Sequence, residues 1–563
     1  MRAFASSWLL AAATGLAPIF VGAAPAHYLV LEIGEDALAH PLYYSKVELA
    51  PDAGHAVPVL PSRASDAITW RSIGPRGAGA LSTISMPQVL HAEFARDPDS
   101  ATSAIDSVAV PNEQRSFVVR APVADGDAIE LQLASGATQR IDVAAIAANA
   151  ARLPLAGLVP EVAAPAMRGG NPGNRLDILV FGDGYAAGEQ GLFETHAQTL
   201  RDSMFDITPY REYESYVNWV PAFVASAQSG STHPPYQAGC TTNACCSDTA
   251  AQTDPLAGQV RATAFQSRFC AFQIHRLLVA NNGLVLAAAA SIPDWDVILV
   301  SVNDPVYGGS GGQIGVMSQH GAAVEVTIHE FGHTFTGLAD EYDSPYPGYP
   351  TCSDTGGGPA CEANVTNQTL AAAVKWRDLF SPGISIPTPP GTPGTGLFEG
   401  ARYFTTGMYR PANQCEMRQL GVEFCAVCRQ EYVKHLYRGG WGTPAGGIDP
   451  IEPGSESPAI GMPVAVQAGV GQAFGATLLQ PSIGTHDVGW WLDGVPIAGA
   501  DQATYVFSQA ATTPALHTLE LRVSDPTSLV IPSMADGLLV SSRSWTIEVV
   551  EADVIFADGF DAP

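Results

Sequence analysis

The stretch Ile328-His329-Glu330-Phe331-Gly332-His333, running on through Gly337 to Asp340 and Glu341, decides how this chain is read. Its histidines are four residues apart. On a helix that spacing puts both imidazoles on one face, a turn apart, within reach of a single metal ion. Glu330 lies between them, where a carboxylate can take a proton from metal-bound water, as in zinc hydrolases. Val324, Ile328, Phe331 and Phe335 form an apolar stripe. At about 100° per residue the histidines fall opposite that stripe. The pattern predicts a helix anchored in a core by one side and presenting His329 and His333 to a cleft by the other. Gly337, a residue at ease in the left-handed conformation, should end the helix and turn the chain back toward the metal. Catalytic zinc commonly has three protein ligands and an open water position. Asp340 is the expected third ligand, with Glu341 as its competitor.

The segment HEFGHTFTGLADEY (329–342) resembles the active-site segment of the M64 metallopeptidases, a family named for an immunoglobulin A-cleaving endopeptidase and grouped near the metzincins. The likeness extends upstream to LDILVFGDGY (176–185), DVILVSVND (296–304) and YGGSGG (307–312). Downstream it takes in LFEGARYFTTGMYRPANQCEMRQLGVEFCAVC (397–428). In all it covers about residues 170–440. The resemblance implies a secreted zinc endopeptidase with His329 and His333 as ligands and Glu330 as catalytic base. It also implies that Met417 forms a methionine turn beneath the metal. The chain departs from the metzincin pattern at Thr336, where glycine is expected, and at Ala339, where the third histidine is expected; the third ligand is therefore displaced and acidic. Immunoglobulin cleavage does not carry over, because substrate choice resides in grooves and loops.

Length and composition agree with an exported, multidomain chain. With 563 residues, two to four domains are expected. Hydrophobic residues make up 46% and charged residues 15%, with 56 Gly and 43 Pro, a mix that favours β-rich domains with long loops. The formal net charge of -28, with no Lys/Arg cluster, argues against nucleic acid and against anionic membrane surfaces. No EF-hand loop is present, so calcium finds no specific support. Arg2, the apolar run 8–21 and the small-x-small triplet Ala24-Pro25-Ala26 read as a secretory signal over 1–26, too short for a membrane span. All 9 cysteines follow it, and in an exported protein most should pair. Cys352 and Cys361 bracket a glycine-rich loop and can pair locally. Cys240, Cys245 and Cys246 share a loop that Cys270 can reach. Cys425 and Cys428, near Cys415, have zinc-ligand spacing, but no second pair of that spacing exists, so disulfides are expected there.

The catalytic unit is expected over 166–440, as strands alternating with helices: a zincin-like α/β domain with a mixed sheet crossed by the ligand helix. Strands are expected near 176–181, 216–224 and 297–302, and helices near 188–204 and 264–278. A β-rich domain precedes it at 27–165, either a propeptide-like cover, a binding module or a packing domain. A Gly/Pro/Ser-rich linker (441–459) leads to short alternating strands over 460–550 that resemble an immunoglobulin-like or PKD-like sandwich. An acidic, aromatic tail follows at 551–563. Residues 307–312 are either a flexible loop or an edge to which a peptide adds as a strand. Tyr409 and Arg410 are candidate donors to an oxyanion, set against a structural turn.

These readings converge on a secreted zinc metalloendopeptidase acting on protein or peptide substrates. The alternatives are a noncatalytic surface- or polymer-binding protein with a structural zinc, and a zinc hydrolase of non-peptide bonds.

Overall fold

The run Leu176–Asp183 is buried at every position, and its alternate side chains feed two different cores. Such a strand must lie inside a sheet covered on both faces. In the computed structural model it pairs in parallel with Val217–Ala222 on one side and Val297–Val302 on the other. Ile314–Met317 extends the sheet in parallel, and Gly309–Ser310 closes it as an antiparallel edge. The sheet is mixed, as expected. The description covers residues 23–550 except 51–66, 76, 87–88, 114, 164–168, 239–247, 346–348, 439–446, 510–514 and 536. Most of the expected signal segment, Cys240, Cys245 and Cys246, the first part of the expected linker and the acidic tail lie outside the described residues.

One face of the sheet carries helix Gln190–Phe205, which buries Phe193, Ala197, Leu200 and Met204, and the ligand helix Gly321–Thr336, which buries Ile328, Phe331 and Phe335. The other face carries the short helix Asn282–Ala288, buried from Gly283 onward. The helix expected over 264–278 does not form. Only the 3-10 turn Ala271–Gln273 lies there, and Gln266, Cys270, Phe272 and Gln273 all have positive φ, which no α-helix accommodates. The apolar residues that suggested a helix are core residues of an irregular chain: Phe265, Phe269, Leu277 and Leu278 are buried.

The β-rich leading region is not a detached module. Strand Ala24–Ile33 lies between Ala39–Leu49 and Ser116–Pro122, all antiparallel. Tyr28 and Val30 pack against the helix-bearing side of the central sheet, while Leu29 and Leu31 pack on Ile68, Trp70, Ile129 and Leu131. Tyr28 donates to the Leu286 carbonyl, and Arg120 stacks on Trp295. The residues on either side of the expected cleavage point are both paired in this strand. A hairpin, Val89–Ala95 with Ser103–Pro111, reaches further still: Ser103 and Ala104 pair with Gln419–Leu420.

At the far end, five strands (Val464–Gln467, Val540–Val550, Ala515–Ser524, Asp487–Leu492, Val495–Pro496) form one sheet, and Gln472–Gly475 with Thr504–Phe507 form a second. Between them Trp490 and Trp545 stack, ring centroids 5.6 Å apart, beside Phe474. This unit docks on the part of the chain built on the central sheet through Asp525, which accepts from the Tyr213 and Tyr437 hydroxyls at 2.7 and 2.8 Å. The described part of the expected linker is packed: the Asn174 side chain holds the Asp449 backbone, and Arg175 pairs with Glu452. No helix among the described residues is long and apolar enough to cross a membrane.

Cys352 and Cys361 form a disulfide, as expected, and Cys270 is also disulfide-bonded. Cys415, Cys425 and Cys428 are free and buried, contrary to the expectation of disulfides.

Candidate metal centre

The ligand helix ends where glycine permits it. Gly337 has φ 63°, and its N–H caps the helix on the His333 carbonyl. The chain then doubles back. Asn364 brackets Ala339, accepting from its N–H at 2.8 Å and donating to its carbonyl at 2.7 Å, so the next residue, Asp340, is aimed at the helix. Asp340 Oδ1 stands 3.3 Å from His329 Nε2 and 3.2 Å from His333 Nε2. Glu341 faces the opposite way, its Oε1 accepting from Asn364 at 3.0 Å.

Each imidazole is oriented from behind. His329 Nδ1 donates to the Glu416 carbonyl at 2.8 Å, and His333 Nδ1 donates to the Leu338 carbonyl at 2.6 Å. Both rings therefore turn Nε2 inward, where the two nitrogens lie 3.1 Å apart. Such backing bonds are what fix ring orientation in metal-ligating histidines. Below them Met417 is fully buried, and a Cβ on Gly332 would stand 2.6 Å from its sulfur. Glycine at 332 lets the methionine approach the helix backbone between the two histidines.

The site has one member that the motif did not reveal. Glu93, from the hairpin strand Val89–Ala95, is 4% exposed and places Oε2 2.8 Å from His329 Nε2 and 3.6 Å from His333 Nε2. Its Oε1 accepts from the hydroxyls of Tyr342 and Tyr403, the latter at 2.7 Å, and those hydroxyls are 2.9 Å apart. The hairpin closes over the cleft, so His329 is fully buried and only His333 is partly exposed. Nothing in the local sequence marks Glu93; it is a single acid in an alternating strand. Tyr342 ends the segment 329–342, and Tyr403 falls in the downstream segment 397–428 of the family resemblance, where no spacing singled it out.

The donor set suits a divalent ion. Ligands 2.0–2.2 Å from a tetrahedral zinc lie about 3.3 Å from one another. The separations between the four donor atoms of Glu93, His329, His333 and Asp340 that were given above run from 2.8 to 3.6 Å. Electrostatics agree. Burial would lower His329, but the bonds from Asp340 and Glu93 outweigh it and push it up to about 10. Burial would likewise lower His333, and Asp340 and Glu93 hold it well above the usual range. Burial would raise Glu93, and the two histidines hold it well below the usual range. The cluster favours positive charge among its donors, and metal can replace protons in such a site.

Glu330 stands beside this centre rather than in it. It is half-buried, with its Oε1 shut from solvent and without a hydrogen-bond partner among the described residues. Burial, then the charge of Glu93, pushes its carboxyl up to about 8. The loop after the edge strand lies against it: a Cβ on Gly311 would be 2.2 Å from Glu330 Oε2. Gly309, Ser310, Gly311 and Gly312 line one cleft together with Glu330 and Thr334. Arg410 is committed elsewhere, donating to the carbonyls of Glu399, Gly400 and Ala412. The Tyr409 backbone pairs with Thr366, and no contact brings its side chain to the histidines. Both residues end strand Phe404–Arg410, which pairs with Phe398–Ala401.

The family model described as IgA Peptidase M64 matches residues 165–394. The match takes in His329, Glu330, His333, Asp340, Tyr342 and Glu341, and leaves out Glu93, Tyr403, Met417 and the three free cysteines. No curated protein matches the chain.

Proposed function

We propose that this chain, whose residues 165–394 match the M64 peptidase family model, is a secreted zinc-dependent endopeptidase acting on protein substrates, with His329, His333 and Asp340 as metal ligands and Glu330 as general base. The carrying observation is the buried, unpartnered Oε1 of Glu330 beside two imidazoles and an acid that converge on one point. The metal, when bound, supplies Lewis acidity toward the scissile carbonyl and makes a water more acidic. Glu330 Oε1 takes the water's proton as the carbonyl is attacked and returns it to the leaving amine. Ser310, Gly311 and Gly312 line the cleft with Glu330, and an extended peptide would lie along them across the carboxylate. The Tyr342 and Tyr403 hydroxyls, rather than Tyr409 or Arg410, are the donors near enough to stabilise developing negative charge. The Cys352–Cys361 disulfide supports an oxidising compartment, in keeping with the expected leader. The two-sheet unit beyond residue 460 supports an immunoglobulin-like module that holds or spaces the enzyme.

Glu93 as a fourth protein donor gives one observation to the noncatalytic alternative, since structural zinc sites are closed. Casein cleavage by the metal-loaded chain, in the native sequence and with Glu93→Ala, separates the two. Glu330→Gln should lower the rate about 10²–10⁴-fold in whichever form is active, with the metal content unchanged. Metal-loaded protein that cleaves nothing even after Glu93→Ala, or a Glu330→Gln form that keeps its rate, would overturn the peptidase reading.

A further inference from the structure

Behind the metal centre the free cysteines form a second cluster. Cys428 Sγ lies 3.6 Å from Cys415 Sγ and 3.5 Å from Cys425 Sγ. Glu341 Oε1 lies 3.3 Å from Cys428 Sγ and 3.8 Å from Cys425 Sγ. All four side chains are buried, and Glu341 Oε2 has no hydrogen-bond partner among the described residues. These are not disulfide geometries, although the same chain pairs Cys352 with Cys361. They are the edges of a metal tetrahedron. Sulfurs about 2.3 Å from zinc lie about 3.8 Å apart, and a carboxylate oxygen in the fourth corner lies about 3.5 Å from each sulfur.

We infer that Glu341, Cys415, Cys425 and Cys428 bind a second, structural divalent ion of the zinc class. Three sulfurs and one oxygen in a closed tetrahedron select zinc over calcium or magnesium. The Cys425 N–H donates to Cys415 Sγ at 3.2 Å, and Cys425 and Cys428 stand at the start of helix Ala426–Arg438. Four protein ligands leave no open position, so the ion has no catalytic part. Its place explains its use. Glu341 adjoins Asp340, Cys415 lies two residues before Met417, and the Glu341 N–H is bonded to the Met417 carbonyl at 2.7 Å. The ion would pin the acidic turn and the methionine turn to one helix, and so position the third ligand of the first centre.

Cobalt substitution of the full-length chain tests this. Thiolate-to-cobalt charge-transfer absorption can arise at the cysteine cluster and not at the first centre, which holds no sulfur. The expected result is that absorption, plus a metal equivalent beyond the one lost in His329→Ala. Both should persist in His329→Ala and vanish in Cys428→Ser. Absence of sulfur charge transfer in the native sequence, or peptide mapping of unreduced protein that finds a disulfide among the three cysteines, would overturn the proposal, whether or not the variants fold.

A separate observation carries a second inference, which rests on the peptidase reading. Glu93 stands at the position a reacting water would need, and its strand packs beside the edge strand Gly309–Ser310 and the ligand helix. The hairpin is held on both sides: the Ala95 N–H donates to Tyr307 Oη at 2.7 Å, and Arg276 stacks on Phe94 while donating to the Ala95 carbonyl at 3.1 Å. We propose that the hairpin is an autoinhibitory strap whose Glu93 must leave before substrate and water enter. Calorimetry of the metal-loaded full chain with a peptide hydroxamate reads this directly. Glu93→Ala should bind at least tenfold more tightly than the native sequence, and nicking the exposed hairpin turn (96–102) with a protease should do the same. Equal binding by intact, nicked and substituted chains would overturn the strap. Tight binding without casein cleavage would instead count against the peptidase reading.

Discussion

Alanine at Gly311 should impair the base without touching it covalently. A Cβ there would stand 2.2 Å from Glu330 Oε2 and 2.4 Å from Cδ, whereas ordinary contact begins near 3.4 Å. The carboxylate must withdraw by about 1 Å, a displacement that costs about 10²-fold in rate when a reacting group is misplaced. That factor corresponds to about 2.7 kcal/mol of barrier. Gly311 is not among the glycines with positive φ, so alanine brings no backbone strain. Turnover of a quenched peptide by the Glu93→Ala chain, with and without Gly311→Ala, measures the effect; metal content and melting temperature serve as controls. Gly321→Ala is the matched control, because a Cβ at the start of the same helix meets nothing within 4 Å. If Gly311→Ala turned over within a few-fold of its parent, the carboxylate at 330 would not need the position seen here, and its role as base would lose its geometric support.

Gly332→Ala should act through the floor of the site. Its Cβ would lie 2.6 Å from the buried Met417 sulfur, and overpacking of this kind costs about 1–3 kcal/mol, so calorimetry should find a lower melting temperature together with weaker metal retention; an unchanged melting temperature would show that the methionine is free to move. Burial holds His486 below its usual range, against the opposing pull of the Leu479 carbonyl. A depressed folded-state value means the unfolded chain takes up the proton first. The contribution is complete above the unfolded value of about 6.5 and is lost as pH falls through the folded one. Thermal stability should therefore drop between about pH 7 and pH 5, and drop less in His486→Gln; identical slopes would remove His486 from the account.

What the sequence disclosed followed the physics of local patterns. The ligand helix, its end at Gly337 and the buried strands at 176 and 297 rest on periodicity and on one glycine conformation, which are written in neighbouring residues. The sequence favoured Asp340 over Glu341 without being able to exclude the second, because the turn depends on Asn364, more than 20 residues away. Glu93 was invisible for the same reason on a larger scale: it is 236 residues from His329, and its burial depends on a hairpin whose docking no local pattern encodes. The expected helix at 264–278 failed because apolar residues at helical spacing also serve an irregular segment with four left-handed residues. The cysteine expectation failed on a missing ligand. Counting sulfurs gave three, and the fourth donor was a carboxylate already considered for a different metal.

That double candidacy links the two centres. Adjacent side chains on an extended turn point to opposite sides, so one peptide unit can serve two sites only if both are built around it. Asp340 faces the histidines and Glu341 faces the sulfurs, while the turn bearing Cys415, Glu416 and Met417 gives one carbonyl to His329 and another to the Glu341 N–H. A displaced acidic ligand lacks the support that a third histidine on a continuous helical segment would have. Here the support comes from behind, through Glu341 and the cysteine cluster. Loosening that cluster should therefore move Asp340 before it moves His329 or His333, whose backing bonds to Glu416 and Leu338 are separate. The departures at Thr336 and Ala339 and the three unpaired cysteines are, on this argument, two parts of one arrangement.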